Sequence, residues 1–330
     1  GKPPVYDRAA LDLSPDERAR LEAEGRQPHW RFKLDHSSAI EWDDLIRGPQ
    51  HFDPALLSDP VVRREDGSWL YMLPSVVDDI DMGVTHVVRG EDHVTNTGLQ
   101  LQMFAALGAA PPAFAHEALL VGSEGKLSKR LGSLGVEAMV EAGIEPIALV
   151  AKLARIGTSL PVEPVTSPQP LIETFDFAHF GRAPARFDME ELAALNARIV
   201  HQLPFAAAQA RLPAGMSESD WAAIRPNLAS VAEAADWWEI LHGHVEPAPD
   251  PADRDFLAAA ADAAAAIDWT ESPWPQLVAA LKAGSGRTGK SLFHPLRRAL
   301  TGRDSGPEMA ALLPLIGRDE TIARLRAAAS

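Results

Sequence analysis

Cysteine is absent from all 330 residues, which excludes disulfides and metal sites built on thiolates. We therefore expect a reducing, cytoplasmic setting. No apolar run approaches the roughly 20 residues that span a bilayer, so no membrane partner is expected. Basic residues are also few, 31 against 46 acidic ones, and the formal net charge of −15 argues against a protein coated in nucleic acid.

The charge is distributed unevenly along the chain. Residues 231–280 contain ten acidic residues and one basic residue, a net of −9, whereas 286–330 contain eight basic and four acidic residues, a net of +4. The C-terminal segment can therefore carry a local anion-binding face on an acidic protein. A chain of this length can form two or three domains with their own cores.

Strand-like and helix-like patterns alternate over residues 59–130. The Asp66-Gly67 turn lies between two strand-like runs and predicts a β-hairpin. The β-branched run 85–88 precedes a helix that Thr95 or Asn96 can cap, and 114–121 again resembles a strand. This order predicts an α/β layer with a parallel sheet.

Helical patterns dominate after Gly132. Two predicted helices end at Gly143 and Gly157, as is typical of C-caps. Prolines then form a stiff connector between residues 161 and 170, and from Phe187 onward all segments have helical spacing. We predict an all-α bundle for this half.

A Gly/Ser-rich turn presents three cations and a hydroxyl close together, at Lys126, Ser128, Lys129 and Arg130. Such a turn suits binding of a polyphosphate, because its fixed positive charge opposes the negative charge that develops on a leaving pyrophosphate. The simpler alternative is a solvated basic turn.

Arg89 directly follows the predicted strand 85–88. Ligands bind at the carboxyl ends of strands in open α/β sheets, and an arginine there can hold a carboxylate through two hydrogen bonds. Glu91 or Asp92 could accept hydrogen bonds from a ribose or an amine. The alternative is an ion pair between Arg89 and a neighbouring acid.

Two other motifs favour a structural interpretation. Asp78, Asp79 and Asp81 could bind Mg²⁺, but we favour exposed acids near the end of a helix. Residues 284–291 match the pattern G-x-x-x-x-G-K-S of a phosphate-binding loop, which requires a preceding strand. Because 274–283 has helical spacing, we interpret the match as a basic loop between helices.

Four segments together resemble the bacterial glutamyl-tRNA synthetases, a family of class I aminoacyl-tRNA synthetases. The segments are Asp43–Gly48, the run from Asp66 through His93, the Lys126–Arg130 loop with His116 upstream of it, and Leu292–Gly302. The resemblance implies an incomplete α/β Rossmann-type catalytic half-domain followed by an all-α anticodon-binding bundle. It implies boundaries at 1–58 for the rest of an inserted acceptor-stem domain, 59–122 for the second half of the catalytic domain, 123–186 for a stem-contact region and 187–330 for the anticodon-binding domain.

The resemblance also implies site residues. Glutamate would bind Tyr71, Ser75 and Arg89, and tRNA would contact Arg297, Arg298 and Arg303. ATP would bind near Asp92, Leu120, Lys126, Leu127, Ser128, Lys129 and Arg130, with Lys129 and Lys126 stabilising the transition state. The implied partners are L-glutamate, ATP with Mg²⁺, and tRNA-Glu, with tRNA-Gln left open, for a cytoplasmic monomer.

The chain departs from the family pattern in two ways. It contains no "HIGH" segment, so we expect that these 330 residues alone cannot activate glutamate, and a non-catalytic tRNA-binding fragment is the alternative. Zinc is not expected, because Tyr6-Asp7-Arg8-Ala9-Ala10 stands where some relatives carry the first zinc ligands.

Overall fold

A computed structural model describes residues 5–122, 125–126, 135–247 and 250–330, with the backbone alone at 125–126. The described chain forms two compact units. The first comprises the described parts of Gly1–Ser128 together with Arg155–Pro161 and Thr174–Phe187. The second comprises the described parts of Lys129–Ala154, Val162–Glu173 and Asp188–Ser330.

The strands lie in the first unit and form three sheets. In chain order they are β1 (Trp30–Arg31), β2 (Ile40–Asp44), β3 (Gly48–Phe52), β4 (Val61–Arg63), β5 (His86–Gly90), β6 (Ala113–Glu117), β7 (Leu120–Gly122), β8 (Gly125–Lys126) and β9 (Ala185–Arg186). The largest sheet has the order β3-β2-β6-β5, and the smaller ones are β1-β4 and β8-β7-β9.

Three α-helices belong to the described part of the first unit, namely α1 (Pro15–Ala23), α2 (Met72–Asp81) and α3 (Val94–Ala106). The other helices lie mainly in the second unit. They are α4 (Val136–Glu141), α5 (Pro146–Arg155), α6 (Gln169–Glu173), α7 (Met189–Val200), α8 (Phe205–Ala208), α9 (Glu218–Ile224), α10 (Ala234–His242), α11 (Arg254–Ala266), α12 (Pro273–Ser285), α13 (Lys290–Thr301), α14 (Met309–Ile316) and α15 (Arg318–Ala329).

The four-stranded sheet confirms the α/β prediction and extends it. Strand β6 pairs in parallel with both β5 and β2, but β3 is antiparallel to β2, so the sheet is mixed. It also joins strands on either side of residue 58, where the family resemblance implied a domain boundary. Strands β2 and β6 pair across about 70 residues of chain. Helices α2 and α3 cover the sheet through Val76, Met103 and Phe104.

Local sequence signals account for many element ends. Gly67 has φ of +86° in the predicted hairpin turn, and Gly143 and Gly157 have φ of +83° and +73° after α4 and α5, where a side chain would be strained. The predicted cap of α3 is wrong. A 3₁₀ turn over Glu91–His93 leads directly into the helix, and His93 caps it without a side-chain hydrogen bond.

A large apolar cluster lies in the core of the second unit. It includes alanines of α11, which let α15 approach closely, and leucines of α12 and α13. This all-helical packing confirms the predicted bundle. Trp237 and Trp238 are partly buried and pack against the cluster.

Candidate active site

The site is built at the carboxyl ends of the parallel strands β5, β6 and β2. Arg89 on β5 lies beside His116 on β6 in the strand register, and Asp44 ends β2. Helix α3 follows β5 and supplies Thr97 and Gln100 to the same place. All of these side chains except Arg89 are buried, and Arg89 is partly buried.

Neutral groups hold the Arg89 guanidinium. Its Nη2 donates to Thr97 Oγ1 at 2.6 Å and to Gln100 Oε1 at 2.7 Å, and its Nε donates to His116 Nε2 at 3.3 Å. Its other amino group, Nη1, has no hydrogen-bond partner among the residues that the structure describes. The expected alternative, an ion pair with a neighbouring acid, is likewise not found in the described part of the chain.

These bonds determine the protonation state of His116. Because an arginine N–H can only donate, Nε2 of His116 must accept, and the proton therefore lies on Nδ1. Nδ1 lies 2.5 Å from Asp44 Oδ2, and backbone N–H groups of Ile46, Arg47 and His116 donate to Asp44 Oδ1. A neutral imidazole thus lies between an anionic carboxylate and a cationic guanidinium.

The pKa directions agree with this assignment. Burial lowers the pKa of His116, and the hydrogen bond to Asp44 offsets this only in part. Burial raises the pKa of Asp44, but hydrogen bonds from the Arg47 backbone, the His116 ring and other donors outweigh it, so the net pKa is lowered. Both directions favour neutral histidine and ionised aspartate in the folded state.

Acid is therefore expected to destabilise the first unit. With its folded pKa lowered, His116 contributes stability above its unfolded pKa of about 6.5, and this is lost as the pH falls, by at most about 1.4 kcal/mol per pH unit. Asp44 adds to the loss only at still lower pH. Urea unfolding at pH 7.5 and 5.5 tests this against His116→Gln, which should flatten the dependence. Equal pH dependence in both proteins would contradict the assignment.

The network continues from Gln100 to α2. Gln100 Nε2 donates to Ser75 Oγ at 2.8 Å, and Ser75 in turn donates to the Met72 carbonyl at 3.1 Å. Two of the three predicted glutamate residues, Arg89 and Ser75, are thus joined through Gln100. Sequence reasoning missed Thr97, Gln100 and the role of Asp44. Thr97 and Gln100 lie on α3 among other polar residues, so their spacing did not single them out.

Tyr71, the third predicted glutamate residue, lies at the exposed edge of this cluster. Asn96 Nδ2 donates to its hydroxyl at 2.5 Å, and His93 Nδ1 lies 3.1 Å from the same oxygen. Half of the Tyr71 side chain remains exposed. Burial lowers the pKa of Arg89. The electrostatic effect of Tyr71, Asp79 and Asp92 offsets this lowering in part, so the four groups share one electrostatic environment.

The predicted ATP residues are only partly described. Asp92 is exposed. A Cβ atom at position 90 would lie only 2.6 Å from Asp92 Oδ1, so the carboxylate can occupy this position because residue 90 is glycine. Leu120 begins β7 and is about one-third exposed. The backbone of Lys126 pairs with Val121 in β8. Leu127, Ser128, Lys129 and Arg130 lie outside the described residues, as does the Lys126 side chain.

The structural interpretation of the other two motifs agrees with the fold. Asp78, Asp79 and Asp81 lie in the last turn of α2, and burial raises the pKa of Asp79. Within the described ranges, no group of three or more histidine, aspartate or glutamate residues is arranged to hold a metal ion. Residues 284–291 span the end of α12, the turn that follows and the start of α13, with a helix rather than a strand before the turn.

The predicted tRNA residues lie at the end of α13 in the second unit. Arg297 Nη1 donates to the Pro307 carbonyl at 2.9 Å, and burial lowers its pKa. Arg298 Nε lies 3.7 Å from Asp304 Oδ1, and Arg303 is exposed. Of the three, Arg297 is thus the one most engaged in holding the fold.

Comparisons with known proteins agree with this architecture. The family described as "tRNA synthetases class I (E and Q), catalytic domain" matches residues 1–194, and "Anticodon binding domain" matches residues 232–329. Glutamate--tRNA ligase 1 of Rhizorhabdus wittichii is 72% identical over the whole of this chain, which spans 74% of that protein. The chain belongs to the glutamate–tRNA ligase family of class I synthetases.

Other relatives of this ligase family show the same extent of match. Glutamate--tRNA ligase 2 of Sphingopyxis alaskensis is 63% identical over 99% of the chain and 73% of its own length. Among solved structures, a glutamate tRNA ligase from Elizabethkingia meningosepticum, in complex with its amino acid, superposes with a TM-score of 0.78 at 24% identity. The match covers 97% of this chain and 71% of the Elizabethkingia chain, and it supports the fold. No helix in the described part of the chain is long and apolar enough to cross a membrane.

Proposed function

We propose that the protein ligates L-glutamate to tRNA in two steps. The glutamate α-carboxylate attacks the α-phosphate of ATP, which forms glutamyl-adenylate and releases pyrophosphate. The acyl group then passes to the 3′-terminal ribose of tRNA-Glu, and AMP leaves. No covalent enzyme intermediate is required, so positioning and charge stabilisation supply the rate.

The observation that carries this proposal is the unpaired charge of Arg89. Two other partly buried arginines of the same unit, Arg8 and Arg47, form ion pairs with Asp59 and Glu91 at 2.8 and 2.6 Å. Arg89 instead has neutral partners and a free Nη1 group among the described residues. A partly buried cation held by neutral dipoles is suited to a carboxylate ligand, which supports glutamate as the substrate.

The remaining substrate contacts are assigned by family pattern. Tyr71 would close the glutamate pocket beside Arg89, and Ser75 would act through Gln100. Asp92 and Leu120 would contact ATP. The basic loop would bind the triphosphate, with Lys129 and Lys126 stabilising the leaving pyrophosphate and with Leu127, Ser128 and Arg130 contributing ATP contacts.

Magnesium enters this scheme with ATP rather than as a resident ion. The described residues offer no ligand set for it. We therefore assign no step to a protein-bound metal. We propose a cytoplasmic monomer in which the helical half from residue 187 contacts the anticodon. Residues up to 58 would belong to the acceptor-stem domain, those up to 122 to the catalytic domain and those up to 186 to the stem-contact region.

A charging assay tests the proposed activity. The full-length protein should attach radiolabelled glutamate to a tRNA-Glu transcript only when ATP is present. A tRNA-Gln transcript assayed in parallel decides whether the enzyme has a second acceptor. Failure to charge either transcript, with folded protein and active tRNA, would contradict the proposal.

The basic end of α13 is predicted to contact tRNA phosphates. Replacing Arg298 or Arg303 by glutamine should weaken tRNA-Glu binding and reduce the slope of log affinity against log salt by about one, because each phosphate contact releases a counterion. Filter binding at several salt concentrations measures this. Arg318→Gln, another partly exposed arginine of the same unit, is the control. An unchanged slope in both α13 variants would reject the assignment.

A further inference from the structure

Within the described part of the site, Gln100 is the side chain that hydrogen-bonds both Arg89 and α2. It is 2% exposed and lies on α3, one turn after Thr97. Its amide oxygen accepts from Arg89 Nη2, and its amide nitrogen donates to Ser75 Oγ. The orientation of the Gln100 amide is thus fixed at both ends. Because the guanidinium of Arg89 can only donate, the amide oxygen must face Arg89.

A carboxylate would fit the same space with a different electrostatic result. Glutamate is nearly isosteric with glutamine and could accept the same hydrogen bond from Arg89. It would also form a buried ion pair and neutralise the guanidinium, as Glu91 does for Arg47. The incoming substrate carboxylate would then meet a neutral pair and a like charge beside it.

The other charges around Arg89 leave its own charge available. Asp44 reaches it only across the His116 ring, whose hydrogen bonds occupy both nitrogens. Asp79 and Asp92 act on it through space without forming an ion pair in the described structure. The residue at position 100 therefore decides whether the guanidinium is internally neutralised.

We propose that Gln100 is a specificity-determining positioning residue, which orients Arg89 through a neutral amide and so reserves its charge for the carboxylate of L-glutamate. This inference rests on the proposed function and on Arg89 as the glutamate contact. It assigns Gln100 no contact with substrate. Its effect is exerted through the charge and orientation of Arg89.

Glutamate-dependent ATP–pyrophosphate exchange by the full-length protein tests the proposal. Gln100→Glu should raise KM for glutamate about tenfold to a hundredfold and leave KM for ATP within about threefold. The preference for L-glutamate over L-glutamine, measured as a ratio of kcat/KM, should fall about tenfold, because the charge that selects a carboxylate is neutralised.

The matched control is Gln102→Glu. Gln102 lies two residues away on the same helix, where it bonds the Asp35 backbone, so the change adds the same charge away from Arg89. It should leave both KM values and the amino-acid preference unchanged. Equal rises in both KM values for Gln100→Glu, or an unchanged preference, would overturn the proposal.

Gln100→Met decides the case if the glutamate variant does not fold. Methionine removes the oriented amide without adding charge, so KM for glutamate should rise several-fold while the preference over glutamine is retained. A KM within about twofold of the parent in this folded variant would overturn the positioning role. Arg89→Gln separates a failure of the Gln100 proposal from a failure of the proposed function. If Arg89→Gln leaves the use of glutamate intact, the proposed glutamate site is wrong. If Arg89→Gln impairs the use of glutamate and the Gln100 variants do not, only the proposed role of Gln100 is wrong.

Discussion

Replacing Arg89 by glutamine is expected to lower kcat/KM for L-glutamate by about a thousandfold. The change removes the cation that we propose holds the substrate carboxylate and would leave that carboxylate partly buried without a partner, a loss of about 2–5 kcal/mol. The same variant should leave KM for ATP close to the parent value. Pyrophosphate exchange with varied glutamate and varied ATP separates these constants.

Two variants make this result specific. Arg89→Lys keeps the charge but loses the forked hydrogen bonds to Thr97 and Gln100, so it should recover only part of the activity. Arg63→Gln is the control, because Arg63 also has no carboxylate partner among the described residues but donates to the Gly67 carbonyl in the hairpin turn. Normal glutamate use by Arg89→Gln would exclude Arg89 from the substrate site.

Arg324→Met is expected to destabilise the helical unit by about 3–5 kcal/mol. Arg324 is 3% exposed and donates to the carbonyls of Ile240, Gly243 and Leu300 at 2.7–3.1 Å, and to Glu320 at 2.7 Å. Its charge thus lies at the C-terminal ends of α10 and α13, where helix dipoles favour a cation. Methionine fills similar space but leaves two buried carbonyls and one partly buried carbonyl without their donor.

Arg326→Met provides the matched control on the same helix. Arg326 is exposed, so its replacement should change the free energy of unfolding by no more than about 0.5 kcal/mol. Chemical denaturation followed by circular dichroism compares the two variants with the parent. If Arg324→Met unfolds at the same denaturant concentration as Arg326→Met, the buried hydrogen bonds do not stabilise the unit as described.

Local physics made much of the fold predictable. Ser14 and Ser217 begin helices in capping boxes, and each accepts the backbone N–H three residues on, so the signal for these helix starts is contained within four residues. The strand predicted over 114–121 divides instead into β6 and β7, which pair in different sheets. Strand pairing depends on distant segments, so an apolar run could not reveal this division.

The position of Arg89 at the end of a strand was predictable from the sequence, but the interactions that support it were not. Arg89 follows a strand, and the general location of ligands in open sheets was enough to select it. Its partners come from α3 and β6, and His116 is in turn held by Asp44, 72 residues earlier in the chain. Single-sequence patterns carry no information about such contacts, which arise only when parallel strands place their ends side by side.

A crystal structure of the full-length protein with bound L-glutamate tests the central claim most directly. The account predicts a glutamate carboxylate within about 3 Å of Arg89 Nη1, with the bonds from Arg89 to Thr97 and Gln100 retained. Glutamate bound elsewhere, with Nη1 still lacking a carboxylate partner, would contradict it.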